Sequence, residues 1–259
     1  MAEKREATPI KYHDGSVVIL EFQPKKHWYS IDGEYVPATT AITNIISKPA
    51  LIPWAANEGA KFYISNYQQT LGKTPSLKHE DMAKGIRKAH RATSGSAINI
   101  GVAVHKYAEE AVLWKLERGP IPSMPDGKEI QNAINAFREW VKQHDINWLS
   151  SEEQVYNRVH GYAGTVDAVA EVDGEFCVID WKTSKAIYSE YHLQCAAYAK
   201  AVEDIHGREI ECAYVLRCDK FTGDFEAAKS SEIEENFRGF LGALTLYKRL
   251  TELENRNGT

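Results

Sequence analysis

Residues 164–185 read GTVDAVAEVDGEFCVIDWKTSK, and the two residues near their middle decide how they fold. Asp173-Gly174 separates two β-prone runs and fits a two-residue type I′ turn, which needs φ > 0 at both positions. A two-residue loop pairs Val172 with Glu175. Counting outward from that pair sets Asp167 opposite Asp180. Side chains alternate along a strand. Val166, Ala168, Ala170 and Val172 therefore share a face with Cys177, Ile179 and Trp181, an apolar face expected to pack on the core. The other face carries Asp167, Asp180 and Lys182. Two carboxylates held opposite each other repel, so a fold that keeps them needs compensating positive charge. Lys182, two residues from Asp180 on the same face, supplies one charge, and a divalent cation would supply the rest. A solvated hairpin face with a local Asp–Lys pair fits the same residues, and the turn alone does not separate the two.

The flanking sequence predicts helices first and a mostly antiparallel sheet after them. Residues 14–46 carry β signals: VVILEF, HWYSI, a turn at Asp32-Gly33, then EYVPATTAITNII. A helix is expected from Trp54 to about Gln69, its start marked by Pro49 and Pro53. A second is expected from Glu80 to Arg91, with Gly95 as a break, a third over 96–118 and a fourth over 126–144. Strands follow at EEQVYNRV and through the 164–183 hairpin, then a helix at 189–206. ECAYVLRCD and DFEAAK read as strands, and 231–254 as a long terminal helix. This order describes an α/β or α+β core.

The chain has 259 residues, a net charge of −5 and a sequence pI of about 6.0. That balance argues against coating a duplex by bulk electrostatics but allows a groove that concentrates positive charge. The longest apolar runs, such as Val17-Val18-Ile19-Leu20, are too short to span a membrane. The start, MAEKREATPIKYHDG, lacks the apolar stretch of a secretory signal. A cytoplasmic location, in a bacterial or virus-infected cell, is expected. Cys177, Cys195, Cys212 and Cys218 form no C-x-x-C pair and read as buried reduced thiols.

Asp167 followed by Asp180-Trp181-Lys182 resembles the motif of the PD-(D/E)XK nuclease superfamily. Gly164-Thr165-Val166-Asp167, Ile179-Asp180-Trp181-Lys182-Thr183, and Gln194 with Tyr198 are similar to its RecB-type exonuclease branch. That branch includes the CRISPR-associated RecB-like nucleases and the mitochondrial genome maintenance exonucleases. Val166 stands where the superfamily's proline would be. The cysteine spacing does not match the cluster-bearing CRISPR-associated members, so no iron–sulfur cluster is expected.

The resemblance implies a restriction-endonuclease-like core over residues 96–259, with a central mixed sheet flanked by helices. Residues 1–95 would form an N-terminal β-hairpin and helical extension that contacts DNA, the whole being one compact unit. Asp167, Asp180 and Lys182 would be the catalytic residues. Asp167, Asp180 and the backbone carbonyl of Trp181 would hold one or two Mg²⁺ or Mn²⁺ ions. Lys182 would polarise the attacking water or stabilise phosphorane charge. His105 ends a G-x-x-x-H element beginning at Gly101. Helical spacing puts it in line with Ile98, Val102, Ala108 and Val112, facing inward. An inward histidine is commonly a satisfied core residue; as a ligand it would shift metal preference toward Mn²⁺. Glu153, or Glu152 beside it, matches an acid of related nucleases, and a solvated glutamate fits as well. Gln194 and Tyr198 share a helix face and would support the site.

Lys84, Arg87, Lys88 and Arg91 form one helical stripe suited to phosphate contacts, or a plain solvated face. Trp54, Phe62, Tyr63 and Tyr67 are read mainly as core, with base stacking as the alternative. The function expected is a metal-dependent DNA nuclease. An exonuclease acting on ends or single strands in repair, recombination or viral DNA processing leads. A recombinase, helicase or single-strand-binding protein is the class of partner expected, with no membrane. The alternatives are a structure-dependent endonuclease, a non-catalytic DNA-binding protein that retains the fold, and a purely structural hairpin.

Overall fold

The computed structural model describes residues 6–24, 28–68 and 79–257. Four strands, β1 (Glu6–Lys11), β2 (Val17–Gln23), β3 (Trp28–Ile31) and β4 (Glu34–Val36), form an antiparallel sheet in that order. Helices α1 (Thr39–Thr43), α2 (Leu51–Gln68), α3 (His79–Lys115) and α4 (Lys128–Lys142) follow. A second sheet runs in the order β5 (Ile146–Asn157), β6 (Tyr162–Val172), β7 (Glu175–Lys182), β8 (Cys212–Cys218) and β9 (Phe225–Ser230). Helix α5 (Ser189–His206) crosses between β7 and β8, the one parallel pair among these five strands, and α6 (Ile233–Asn257) ends the described chain. A parallel pair needs such a crossover. The architecture is a mixed α/β fold with a five-stranded mixed sheet flanked by helices, consistent with a restriction-endonuclease-like core. No described helix is long and apolar enough to cross a membrane.

By contacts the described residues fall into two compact units. One takes the chain up to Ile46 and from Ala103 onward; the other is Ser47–Val102. In the first, the N-terminal sheet shares its core with the second sheet and α5: Ile10, Leu20, Tyr29 and Val36 cluster with Val155, Tyr162 and Val166 of the sheet and Val202 of the helix. Polar links reinforce this. Tyr12 Oη donates to the Tyr156 carbonyl (2.9 Å), and the Ala163 N–H donates to the Pro37 carbonyl (3.0 Å). The sequence reading placed its boundary at 95/96, with residues 1–95 as a single extension.

The two faces of the five-stranded sheet are covered differently. Helix α4 buries Ala133, Ile134, Ala136, Phe137 and Trp140, a helical spacing of three and four. Phe137 meets the Trp181 ring edge-on, with centroids 5.3 Å apart. On the other face, α5 presents Cys195, Ala196, Ala197, Ala199 and Ala201. These short side chains let its backbone come close to the strands. Gly207 then ends α5 in the left-handed conformation (φ 67°), its N–H bonded to the Glu203 carbonyl.

Several expectations are corrected. The run after Glu34 does not stay extended: Pro37 breaks it, and Thr39–Thr43 is helical despite its β-branched residues. Tertiary contact overrides propensity there, because Thr39 Oγ1 donates to the buried Ala163 carbonyl (3.0 Å). Gly95 does not break a helix; it lies inside α3, where a glycine costs only about 1 kcal/mol relative to alanine. Strand β1 was not anticipated, because its EATPIK is polar and carries a proline. Cys177 and Cys212 are not reduced thiols. They are register partners on the neighbouring strands β7 and β8, with Cα atoms 4.9 Å apart, and form a disulfide. Cys195 and Cys218 are free and buried.

In the unit Ser47–Val102, α2 and the first half of α3 meet at two glycines. A Cβ on Gly85 would lie 2.3 Å from the Phe62 ring, and one on Gly59 would lie 3.1 Å from Ile86 Cγ2. Lys84, Arg87, Lys88 and Arg91 are all exposed on this part of α3. Trp54 and Phe62 are half-buried, but Tyr63 and Tyr67 are not core: they are 46% and 53% exposed and stack on each other. Residues 69–78, which hold the end of the expected first helix, lie outside the described residues.

Gly164 on β6 is a close-approach glycine: a Cβ there would lie 2.6 Å from Tyr198 Cε1 and 3.0 Å from Thr39 Oγ1. Gly164→Ala should therefore lower stability by about 1–3 kcal/mol, the usual cost of overpacking. Urea unfolding reads it; a midpoint equal to that of the unmodified protein would show that the neighbours yield freely.

Candidate active site

The turn at Asp173-Gly174 has φ of 52° and 89°, as a type I′ turn requires. Val172 pairs with Glu175, and the ladder runs on to Ala168 and Ile179. It stops there, one step short of Asp167 and Asp180. The other side of Asp167 is also interrupted. Strands β5 and β6 pair at Ser151↔Ala168 and Glu153↔Val166, which sets Glu152 opposite Asp167, yet that pair is missing. Glu152 takes φ of 49°, a left-handed value rare for a glutamate inside a strand. Side chains replace the missing ladder bonds. The Trp181 N–H donates to Asp167 Oδ2 (2.7 Å), and Ser151 Oγ donates to the Asp167 carbonyl (3.2 Å). Three carboxylates from three neighbouring strands thus sit side by side where the sheet opens.

The face that carries them is not a solvated one. Asp167 is 8% exposed and Asp180 2%. Val169, Phe176 and Val178, on the same face by alternation, are also buried, under α5. This removes the reading of an exposed Asp–Lys pair. Lys182 Nζ pairs with Asp180 Oδ2. Gln194 Nε2 donates to Asp180 Oδ1 (3.2 Å) and to Tyr198 Oη (2.9 Å). Gln194 and Tyr198 thereby meet the aspartate from the first half of α5, as their spacing of four suggests.

His105 comes from the C-terminal part of α3. Its Nδ1 lies 3.4 Å from Asp167 Oδ1. Of its expected stripe, Ala108 and Val112 are buried, while Ile98 and Val102 are each 63% exposed. The inward face therefore begins near His105 and does not extend through it. One potential ligand atom each from His105, Glu152 and Asp167 all lie within 4.8 Å of one another, a grouping that can hold a metal ion. Glu153 points elsewhere: it pairs with His206 Nε2 (2.8 Å) and accepts from Ser150 Oγ. Of the two acids the sequence offers, Glu152 is the one beside Asp167. Its backbone conformation selects it, and nothing in the Glu-Glu dipeptide shows that. The stripe Lys84, Arg87, Lys88 and Arg91 lies in the other compact unit.

Electrostatics follow from burial and crowding. Burial pushes Glu152 up to about 7, and Asp167 adds to it. Asp180 is pushed up to about 6 by burial and by Asp167, against the pull of Lys182. Burial would raise Asp167 as well, but His105, Lys182 and the Trp181 N–H hold it below the usual carboxylate range. Burial works against the charged forms of His105 and Lys182. The facing aspartates outweigh it, raising His105 to about 9 and Lys182 above its ordinary value. An imidazole and hard carboxylate oxygens gathered in one opening suit Mn²⁺ or Mg²⁺. The crowded negative charge is itself a reason for a cation to bind.

Residues 161–254 match the model of the PD-(D/E)XK nuclease superfamily. Over that segment the chain is similar to a PD-(D/E)XK nuclease superfamily domain. Human mitochondrial genome maintenance exonuclease 1 is 28% identical over 120 residues, 35% of this chain and 35% of the relative. The chain spans about a third of the length of that curated relative. The RecB-type branch is consistent with both findings. Within the matched segment, Asp167, Asp180, Lys182, Gln194 and Tyr198 are the residues that meet in the opening.

Two measurements test the metal group. Ligands must be deprotonated to bind, and Glu152, Asp180 and His105 all hold their protons above their ordinary pKa values. Mn²⁺ affinity should therefore rise with pH through 6–8, with protons released on binding. Calorimetry in buffers of different ionisation enthalpy measures both, and a pH-independent affinity would contradict the assignment. Separately, Glu152→Gln should weaken Mn²⁺ binding about tenfold or more, as loss of a metal-site group typically does, while Glu153→Gln leaves it unchanged.

Proposed function

We propose that this protein is a divalent-metal-dependent DNA nuclease, acting as an exonuclease at DNA ends or on single strands. The observation that carries the reading is the array of half-buried Glu152 with buried Asp167 and Asp180, with Lys182 and His105 against it. Such crowding of charge is costly in a purely structural role. Asp167, Glu152 and His105 would hold the cation, with Asp180 and the Trp181 carbonyl as further oxygen donors. When bound, the metal supplies charge neutralisation at the phosphate and activation of water.

The chain's own residues supply position and proton control. Lys182 keeps its ammonium because Asp180 and Asp167 flank it, so it can present a fixed positive charge to a phosphoryl oxygen or to the attacking water. Gln194 holds Asp180 Oδ1 and leaves Oδ2 to Lys182. Tyr198 fixes Gln194 in turn and fills the space over Gly164. The exonuclease reading draws on the similarity to human mitochondrial genome maintenance exonuclease 1 and on the RecB-type pattern around Asp180-Trp181-Lys182. Repair, recombination or viral DNA processing is the setting it suggests, with a recombinase, helicase or single-strand-binding protein to deliver ends.

Incubation with linear, closed-circular and single-stranded DNA in Mg²⁺, Mn²⁺ or EDTA tests this. Linear and single-stranded DNA should be degraded with metal, and closed circles should survive. Cleavage of circles would mark an endonuclease, and binding without cleavage a non-catalytic protein. Lys182→Ala should lower the rate by roughly 10²–10³-fold, as loss of a positioned electrostatic group does. Wild-type activity in that variant would sink the proposal.

A further inference from the structure

A cavity of about 240 Å³ opens immediately beyond Lys182, between Thr183-Ser184-Lys185 and Asp219-Lys220-Phe221. It lies past the C-terminal ends of the parallel strands β7 and β8, where Lys182 and Arg217 are register partners. Crevices at the carboxyl ends of parallel strands are the usual place for ligands in α/β sheets. Two features of this one go beyond the carboxylate site.

The first is a rigidly presented aromatic. Phe221 is 61% exposed, yet its turn is tied down on every side. Asp219 Oδ1 accepts the N–H groups of Phe221 (2.8 Å) and Thr222 (3.1 Å). Asn132 on α4 donates its Nδ2 to the Lys220 (3.1 Å) and Phe221 (2.9 Å) carbonyls. The Asp219 N–H donates to the Asp224 carbonyl, and Gly223, at φ 85°, donates its N–H to Asp219. A side chain that repels water is thus held in water by a network of backbone bonds.

The second is uncompensated positive charge. Lys185 and Lys220 have no carboxylate partner among the described residues. The cavity's one acid, Asp219, is already engaged by Arg217 Nη1 (2.8 Å) and by the turn N–H groups, which hold it well below the usual carboxylate range, near 2. In a chain of net charge −5, two ammonium groups without a carboxylate partner, that of Lys220 resting over the Phe221 ring 5.8 Å from its centroid, suit an anion joined to a flat apolar group.

We propose that this cavity is a nucleotide subsite for the DNA strand, next to the phosphate that is cut. Lys185 and Lys220 take a backbone phosphate, with the Thr183 hydroxyl at hand, and Phe221 stacks on the attached base. The inference rests on the nuclease reading and deepens it by assigning where a strand is gripped. The chemistry is that of single-strand binding, in which stacking is tolerant of sequence and phosphate contacts set the salt dependence.

The test uses the full chain, a short fluorescein-labelled single-stranded DNA and Ca²⁺ in place of the activating metal, with binding read by anisotropy. Phe221→Ala should weaken binding roughly 5- to 150-fold, the range for loss of one base–aromatic stack, and Phe221→Trp should restore it. Lys185→Gln with Lys220→Gln should flatten the logarithmic salt dependence by about 0.7 per lysine. An abasic residue walked along the strand should cost affinity at one position in the unmodified protein and at none in Phe221→Ala. If Phe221→Leu binds as well as the unmodified protein, stacking is overturned. If the unmodified protein binds and cuts DNA while both kinds of variant bind equally well, the subsite alone is wrong. If it neither binds nor cuts DNA with any metal, the nuclease reading falls with it.

Discussion

The structure turns on the burial of Asp167 and Asp180 against each other. Like charges brought together in a site of low dielectric repel, and burial adds desolvation to that. The surrounding residues answer this cost. Lys182 pairs with Asp180, His105 approaches Asp167, and the Trp181 N–H is given to Asp167 instead of to a neighbouring strand. Gln194 and Tyr198 complete the hydrogen bonding. The sheet accepts two missing ladder pairs and a strained Glu152 around the same point. Irregular backbone that persists inside an otherwise regular sheet tends to mark a functional site.

The N-terminal sheet has a part in this as a support. Tyr29 Oη bonds Thr165 Oγ1 (2.8 Å), two residues from Asp167, and Thr39 holds the Ala163 carbonyl. Ala38 and Ala163 form a parallel bridge. The start of β6 is therefore anchored by strands and a short helix from the beginning of the chain, while its end is anchored by the hairpin turn. Between these two anchors lies the segment where the ladders open.

How much of this was legible in the sequence depends on the range of the interaction. The turn chemistry of Asp173-Gly174 carried the register from Val172↔Glu175 to the two aspartates, because pairing in a tight hairpin is local. The boundaries of α5 were readable for the same reason. The burial of the charged face was not, since alternation alone does not show that α5 covers it. Glu152 could not be told from Glu153, because the choice depends on a single positive φ. The β-branched Thr39–Thr43 and the interior Gly95 misled for opposite reasons: contact with Ala163 overrode strand propensity in one, and a modest local cost was absorbed in the other. The Cys177–Cys212 bond needs a parallel pairing across a crossover helix, which residue spacing does not encode.

Asp167, Asp180, Lys182, Gln194 and Tyr198 all lie on one unbroken hairpin–helix stretch, whereas His105 reaches them from a helix far earlier in the chain. The carboxylate–lysine half of the site therefore closes over short loops. The imidazole joins only after a long loop has been closed, at an entropic cost. A cation shared by His105, Glu152 and Asp167 would act as a clasp between these two parts of the chain. Its binding energy and the energy that docks the later part of α3 onto the sheet are then linked quantities. With such a cation bound, whatever loosened that helix would weaken its hold on the metal, and removing the metal would loosen the helix.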